Sequence, residues 1–448
     1  MKISRNRLLS VLSYSLDCVE KEVLGVKMGH AKRVAGLCKA AGTEAGLDRM
    51  AISDVLMCSL MHDNALNEFK DDYVVEAGKI TYKNRKNAHC IAGENNINSL
   101  LISGDSENAV LYHHECANGS GPFGKIAAET PLTAQLIHCA DEIDLKFPLN
   151  QCITSGFIEN IRRYIKENRE QLFSEEVCGL FLNVINEDLL IKLHDINIDV
   201  YLFEDNTDVV LDIKDSRLRD IVTLFAHIVD AKSPFTKEHS IGISRKAEEM
   251  GRFYGFDEET VMKLYFAGAL HDIGKLSIHN EVLEKAGRLT NDEYAYMQSH
   301  AYETYKILKD IPDFEDITSW ASLHHEKLDG SGYPFGKRAD ELDFNARLMA
   351  CLDIYQALTE DRPYKAGMSH NKAIGILCEM AHNGQLDKTI VGDLDAVFGS
   401  NGETDNSSSL TAVFQCKVCG YIHEAAEIPY EFLCPVCGNG ASAFERIL

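Results

Sequence analysis

Residues 324–337 read HHEKLDGSGYPFGK, and the rest of the chain can be read outward from them. Two adjacent histidines are followed at once by Glu326, and a glycine-rich turn then ends in Tyr333 and Pro334. Neutral imidazole is the commonest biological metal ligand, and glycine lets backbone approach a ligand closely. A near copy, HHECANGSGPFGK, occupies residues 113–125 and is one residue shorter. So unusual a string occurring twice in one chain points to duplication.

The duplication extends well beyond the string. His30 and His239 lie 209 residues apart, as do the pairs His62 and Asp63, and His271 and Asp272. The offset is 211 for His89 and His300 and for the double histidines, and 212 for Asp141 and Asp353. It reaches 214 for Gln171 and Gln385 and for Val177 and Val391. An offset that only grows, in small steps, is what a few loop insertions between two copies produce. Apolar residues recur at i, i+3 and i+4, as in 216–230 and 260–272, and prolines are few. The expected fold class is therefore all-α: one helical unit over 1–186, a second over 213–399, and residues 187–212 connecting them. A polar linker rich in Ser, Asn and Gly follows at 400–412, then a small third unit at 413–448.

The 448 residues fit roughly two or three domains, with 45% apolar residues to supply their cores. A formal charge of −24 argues against a DNA- or RNA-binding surface, which would be basic. A phosphate ligand can still be bound locally where a metal supplies positive charge. No run approaches the ~20 apolar residues that span a bilayer, so no membrane association is expected. Arg5 and Arg7 before LLSVLSYSL faintly imitate a signal peptide. Leu8, Leu12, Leu16, Val19 and Val23 instead keep helical spacing past Asp17 and Glu20, which favours an amphipathic helix. Of fourteen cysteines, ten are scattered and four form two CxxC pairs. That is the usage of a reducing compartment, and a cytoplasmic location is expected.

In the second copy, His239, His271, Asp272, His300, His324, His325 and Asp353 recur where helices would present them. Such nitrogen and oxygen donors suffice for two divalent cations bridged by one carboxylate. A pair about 3.5–4 Å apart activates water and stabilises both oxygens of an in-line phosphoryl displacement. Lys275, one turn beyond Asp272, is placed to meet phosphate charge. Any one of these histidines reads most simply as a surface residue or helix cap. The whole set, repeated in the first copy as His30, His62, Asp63, His89, His113, His114 and Asp141, does not.

ALHDIGK at 269–275, HHE at 324–326, GSGYP at 330–334 and ALTEDRPYK at 357–365 resemble the HD-GYP phosphohydrolase domain, over about 220–398. Members of that family hydrolyse cyclic di-GMP to pGpG and often GMP at a bimetallic or trimetallic centre, commonly of iron or manganese. The resemblance implies one cation on His239, His271, Asp272 and Asp353, and a second on Asp272, His300, His324 and His325. Asp272 would bridge them, with Asp272 and Lys275 as the catalytic pair and a metal-activated water as nucleophile. Lys275, Arg362 and Lys365 would meet phosphate, and Asp329, Gly332 and Tyr333 would line the substrate pocket. Phe235 stands where some members have a glutamate for a third metal, so two cations are expected. Gln356 stands where an aspartate is frequent. The first copy has Leu66 for Lys275 and Asn118 for Asp329, lacks the tyrosine between Gly121 and Pro122, and has nothing like RPYK. It reads as a further metal pair with altered chemistry, as a regulatory unit, or as a structural partner. Retention of its ligand set favours a metallated site that is altered or inactive.

Cys416, Cys419, Cys434 and Cys437 supply four thiolates in paired knuckles, a tetrahedral site for zinc or iron. FQCKVCGYIHE and PYEFLCPVCG, with Tyr421, Phe432, Pro435 and Phe444, resemble rubredoxin and the tail of rubrerythrins over 413–446. That resemblance implies one iron, with zinc the alternative, and an electron-transfer partner. The expected function is a metal-dependent cyclic di-GMP phosphodiesterase linked to redox state, acting on a cyclic dinucleotide, with a homodimer left open. The alternatives are a cyclic dinucleotide receptor or redox sensor without turnover, and an HD-type di-iron oxidoreductase. Lys275, GYP and RPYK favour the phosphoesterase, because an oxygenase has no evident need of phosphate-facing groups.

Overall fold

The computed structural model describes residues 1–76, 79–82, 87–101, 104–149, 154–194, 198–204, 209–232, 239–285, 287–361, 366–399, 412–416, 422–425 and 444–446. They form two compact units, 1–397 and 398–448. The first copy runs β1 (Lys2–Ser4), α1 (Arg5–Leu24), α2 (His30–Glu44), α3 (Arg49–Leu60), hairpin β2 (Tyr73–Glu76) and β3 (Lys79–Tyr82), α4 (Ala88–Ile97), α5 (Leu132–Lys146), α6 (Ser155–Glu167) and α7 (Glu175–Val184). The segment expected as a connector contains α8 (Glu187–Lys192), α9 (Ile198–Phe203) and β4 (Val210–Asp212). Strand β4 pairs antiparallel with β1, Ile3 opposite Leu211.

The second copy runs α10 (Ser216–Ala231), α11 (His239–Phe253), α12 (Glu258–Leu270), α13 (Asn280–Leu283), α14 (Asn291–Leu308), α15 (Glu315–Ser322), α16 (Phe344–Thr359), α17 (His370–His382) and α18 (Lys388–Gly399). The repeat seen in the sequence is thus a repeat of helices: α2, α3, α4 and α5 answer to α11, α12, α14 and α16. The fold is all-α apart from short strands, as expected. In the C-terminal unit, β5 (Ala412–Cys416) lies between β6 (Ile422–Ala425) and β7 (Phe444–Arg446), antiparallel to both. Cys419, Cys434, Cys437, Tyr421, Phe432 and Pro435 lie outside the described residues, as do the side chains of Cys416 and Phe444.

The helices form for local reasons and bury one face each. Asp215, Asp257 and Asp343 cap α10, α12 and α16 by accepting from backbone N–H groups of the first turn. Leu218, Ile221, Val222, Phe225 and Ile228 turn the apolar stripe of α10 into the core. In α1, Leu8, Leu12, Leu16 and Val19 are all buried, as an amphipathic helix requires. Helices α1 and α10 also reach across the duplication. α1 packs on α14 and on the 3-10 turn Ile273–Ser277, and α10 packs on the corresponding turn Leu66–Asp72. Glu22 of α1 accepts from Lys232 and from the Asn280 backbone N–H, and the Asn67 amide donates to the Ile228 carbonyl at 3.3 Å.

These two helices set the entry of the first metal-type histidine in each copy. Buried Asp17 accepts from the Gly29 and Ala31 N–H groups at 2.8 and 3.2 Å, so it anchors the start of α2 at His30. Buried Asp230 does the same for α11, taking the Ser240 N–H at 3.1 Å and its hydroxyl at 2.7 Å, next to His239. An orphaned N-terminal amide inside a core is costly. Asp230→Ala is therefore expected to lower stability by about 1–3 kcal/mol and to reduce the metal retained by the chain. Urea unfolding followed by circular dichroism and elemental analysis measure the two effects.

Candidate metal centre

Each clustered histidine of the second copy sits where a helix begins, ends or meets another segment. His239 opens α11, His271 follows the last residue of α12, and His324 and His325 follow α15. His300 lies midway along α14, against the turn that follows Asp272. Contact there is close: a Cβ on Gly274 would come within 2.0 Å of the His300 carbonyl oxygen, and one on Gly268 within 2.7 Å of Ser244 Cα. Only glycine allows these approaches, and they draw α12, α14 and α11 together around one point.

That point is Asp272. Its Oδ1 lies 3.4 Å from His300 Nε2 and 3.8 Å from His324 Nε2. Its Oδ2 lies 3.1 Å from His271 Nε2 and 2.5 Å from Lys275 Nζ. Asp353, on α16, brings Oδ1 to 3.3 Å from His239 Nε2 and Oδ2 to 3.3 Å from His325 Nδ1. The expected residues His239, His271, Asp272, His300, His324, His325 and Asp353 are therefore brought together. Donor atoms of His239, His271 and Asp353 fall within 4.8 Å of one another, as do those of His300, His324 and His325, and of His271, Asp272 and His324.

Second bonds fix how the imidazoles present themselves. Nδ1–H of His271, His300 and His324 donates to the carbonyl three residues back, of Gly268, Met297 and Ala321, at 2.8, 2.7 and 2.6 Å. Nε2 then carries the lone pair and faces the cluster. Burial pushes His300 down to about 3 and holds His324 well below the ordinary histidine value, so both stay neutral, the ligating form. Burial works against the charge on Asp272, but His271 and Lys275 hold its carboxyl well below the usual carboxylate range. His271 Nε2 and Asp272 Oδ1 are buried without a hydrogen-bond partner. Such atoms are costly in a core unless a ligand takes them, and an imidazole-and-carboxylate donor set of this kind fits divalent cations.

Sequence reasoning missed part of this arrangement. Glu360 Oε2 accepts Nδ1–H of His239 at 2.8 Å and so orients it. It lies seven residues after Asp353, two turns along on the same face. Glu326, the third letter of HHE, points away from the metal-type cluster. Its carboxylate accepts from the N–H groups of Phe335, Gly336 and Lys337 at 2.7, 3.1 and 3.0 Å, and so holds the glycine-rich loop closed. Gly332 is required there, since a Cβ would sit 2.5 Å from Glu326 Cα. The Tyr333 ring lies tilted beside that of His325, with centroids 4.7 Å apart. Asp329 lies on the exposed turn, where it accepts from the Ser331 N–H and hydroxyl at 2.9 and 2.7 Å. Phe235, Arg362 and Lys365 lie outside the described residues.

The first copy reproduces the cluster. His30 Nε2 is 3.2 Å from Asp141 Oδ1, and Asp63 Oδ1 is 3.6 Å from Nε2 of both His89 and His113. His62 Nε2 stands 3.8 Å from Asp63 Oδ2, and the His114 ring lies tilted against that of His113 with centroids 4.0 Å apart. Nδ1 of His62 and His113 is again tied to the carbonyl three residues back. The orienting carboxylate has moved. Asp144, at the position of Gln356, accepts from His30 Nδ1 at 2.8 Å and is clamped by Arg33. In the second copy the Arg33 position is Gly242, where a Cβ would meet Gln356 Nε2 at 2.4 Å, and Glu360 takes over the role.

Comparison with known proteins agrees with the geometry. Residues 223–390 match the HD domain model, and 414–445 match the rubrerythrin, rubredoxin-like domain model. The chain is 28% identical over 350 residues to 3'3'-cGAMP-specific phosphodiesterase 1 of Vibrio cholerae, covering 75% of this chain and 79% of that one. It is 40% identical over 172 residues to 3'3'-cGAMP-specific phosphodiesterase 3 of the same organism, covering 38% of this chain and 37% of the relative. A cyclic di-GMP phosphodiesterase of Pseudomonas aeruginosa is 32% identical over 186 residues, 41% of this chain and 44% of its own. A crystal structure of a V. cholerae cyclic GMP-AMP specific phosphodiesterase shares the fold, with a TM-score of 0.62 and 23% identity over 89% of this chain and 98% of that one.

Carboxylates behind metal-bound histidines typically govern affinity by 10–100-fold. Glu360→Gln is expected to weaken metal binding in the second copy by about that factor, and Asp144→Asn to do so in the first, in competition titrations with a chelating dye. Converging donors, their orienting carboxylates and these likenesses make one assignment: the chain carries an HD domain at 223–390 and a rubredoxin-like domain at 414–445, and it is similar to HD-GYP cyclic dinucleotide phosphodiesterases.

Proposed function

We propose that the second HD unit hydrolyses a phosphodiester bond of a cyclic dinucleotide, with cyclic di-GMP giving pGpG and then GMP. The observation that carries this reading is the meeting of seven nitrogen- and oxygen-bearing side chains at Asp272, two of whose buried donor atoms lack partners, with one cation, Lys275, at its edge. His239, His271, Asp272 and Asp353 would hold one divalent cation, and Asp272, His300, His324 and His325 the other. Bound there, the pair would supply an activated water and Lewis-acid stabilisation of the phosphoryl oxygens. Lys275 keeps its ammonium at the mouth of the cluster, where it can face a phosphate oxygen in place of Asp272. Tyr333, beside the partly exposed His325, offers a face for a base to stack on. Arg362 and Lys365 are assigned to phosphate on the motif alone.

A second substrate, 3'3'-cGAMP, is favoured by one specific finding: two of the similar V. cholerae enzymes carry that specificity in their names, and one aligns along three quarters of this chain. The domain boundaries 1–186, 187–212, 213–399, 400–412 and 413–448, a cytoplasmic location and iron on Cys416, Cys419, Cys434 and Cys437 belong to the same proposal. Electrons passing through that iron would tie phosphodiesterase activity to redox state.

The test is turnover by the full chain loaded anaerobically with iron or manganese, offered cyclic di-GMP and 3'3'-cGAMP separately. A linear dinucleotide from at least one of them is expected, and the ratio of kcat/KM selects the substrate. His271→Ala combined with Asp272→Ala should abolish product. Lys275→Ala should lower kcat about 10²–10³-fold, the usual cost of one lost electrostatic contact to a transition state. Tight binding with no product over hours would replace the enzyme with a receptor, and full activity in the double variant would refute the site.

A further inference from the structure

The first copy contains one donor that its counterpart lacks. Cys90 follows His89 in α4, is fully buried, and places Sγ 3.4 Å from His89 Nε2. Donor atoms of His89, Cys90, His113 and His114 all lie within 4.8 Å of one another. The matching position in the second copy, at the same offset of 211 that relates His89 to His300, is Ala301, also fully buried. We infer that Cys90 is a metal ligand, and that the first HD unit is a thiolate-containing centre for a thiophilic cation such as zinc, chemically distinct from the all-nitrogen-and-oxygen centre of the second.

Three observations support this over a sulfur that merely fills space, the ordinary role of a buried free cysteine. A space-filling residue is better served by the alanine of the second copy, which needs no polar neighbour. Here the thiol stands among three imidazoles, and His113 Nε2 is buried with no hydrogen-bond partner while its Nδ1 is spent on the Val110 carbonyl at 2.6 Å. The count also fits. Three imidazole nitrogens and one thiolate complete a four-coordinate set of the kind zinc takes in closed sites, whereas His300, His324 and His325 provide only nitrogen. A soft sulfur ligand shifts preference toward zinc and away from manganese. Loss of the phosphate-facing lysine, replaced by Leu66, agrees with a site that holds a cation without turning over a phosphoester.

The test uses the full chain with cobalt(II) in its sites, where a thiolate ligand gives a near-ultraviolet charge-transfer band and imidazole or carboxylate does not. The four cysteines of the C-terminal knuckle contribute equally in every variant. Cys90→Ala should fold, because alanine occupies the matching helix position in the second copy. Its thiolate-to-cobalt intensity should fall as Cys90 is lost from the ligand set, and its zinc affinity should drop while helicity by circular dichroism stays unchanged. Cys90→Ser, closer in volume, provides the same reading should the alanine variant misfold. Superimposable cobalt spectra and unchanged zinc content in a folded variant would overturn the assignment. Because the readout is optical, it stands apart from whether the second unit hydrolyses a cyclic dinucleotide.

Discussion

A carboxylate buried among imidazoles is expensive to assemble, and Asp272 is where this fold concentrates that expense. Isolated in a core, its charge would be intolerable. It persists because His271 and Lys275 flank it in its own turn while His300 and His324 converge on it from two other segments. Convergence in turn requires the glycines that let α11, α12 and α14 touch backbone to backbone, and the carbonyl tethers that aim each Nε2 inward. Even residues remote from the cluster serve it: Asp230 fixes where α11 starts, and Glu326 folds the glycine-rich loop back beside His325.

The same frame built twice separates what is obligatory from what is adjustable. Histidine and aspartate positions, the i−3 carbonyl tethers and the capping aspartates Asp17 and Asp230 are common to both copies. The carboxylate behind the first histidine is not. Arg33 with Asp144 in one copy has become Gly242 with Gln356 and Glu360 in the other. The exchange is concerted because the arginine needs the volume that Gln356 fills against Gly242. One orienting negative charge survives in each copy, placed on a different turn of the helix.

Much of this was legible in the letters. The growing offset revealed the duplication, helical periodicity located α10 and α12, and all seven side chains that meet in each cluster could be named because metal chemistry restricts residue types. Asp144, Glu360 and Cys90 escaped notice for a different reason. A second-layer partner needs only charge and reach, so it can sit on neighbouring turns, and no fixed spacing advertises it. Cys90 was hidden among scattered cysteines, most of which are buried as small apolar groups. The reciprocal packing of α1 and α10 on the opposite copy's turn was equally silent, because an apolar stripe says that a face is covered but not by what.

The energetics of the first copy bear on why its histidines remain. His62 Nε2, Asp63 Oδ1 and His113 Nε2 are buried without hydrogen-bond partners. At about 1–3 kcal/mol for each unsatisfied group, the three together would cost several kcal/mol, a large share of the ~5–15 kcal/mol that typically holds a protein folded. A unit kept only as scaffolding would be relieved of that burden by apolar substitutions, of the kind already present where Leu66 replaces the lysine. A cation on those atoms offsets the cost directly, since it exists in the folded state and has no comparable site in the unfolded chain. An ion bound there would account for the retained cluster while leaving its substrate-facing parts free to change.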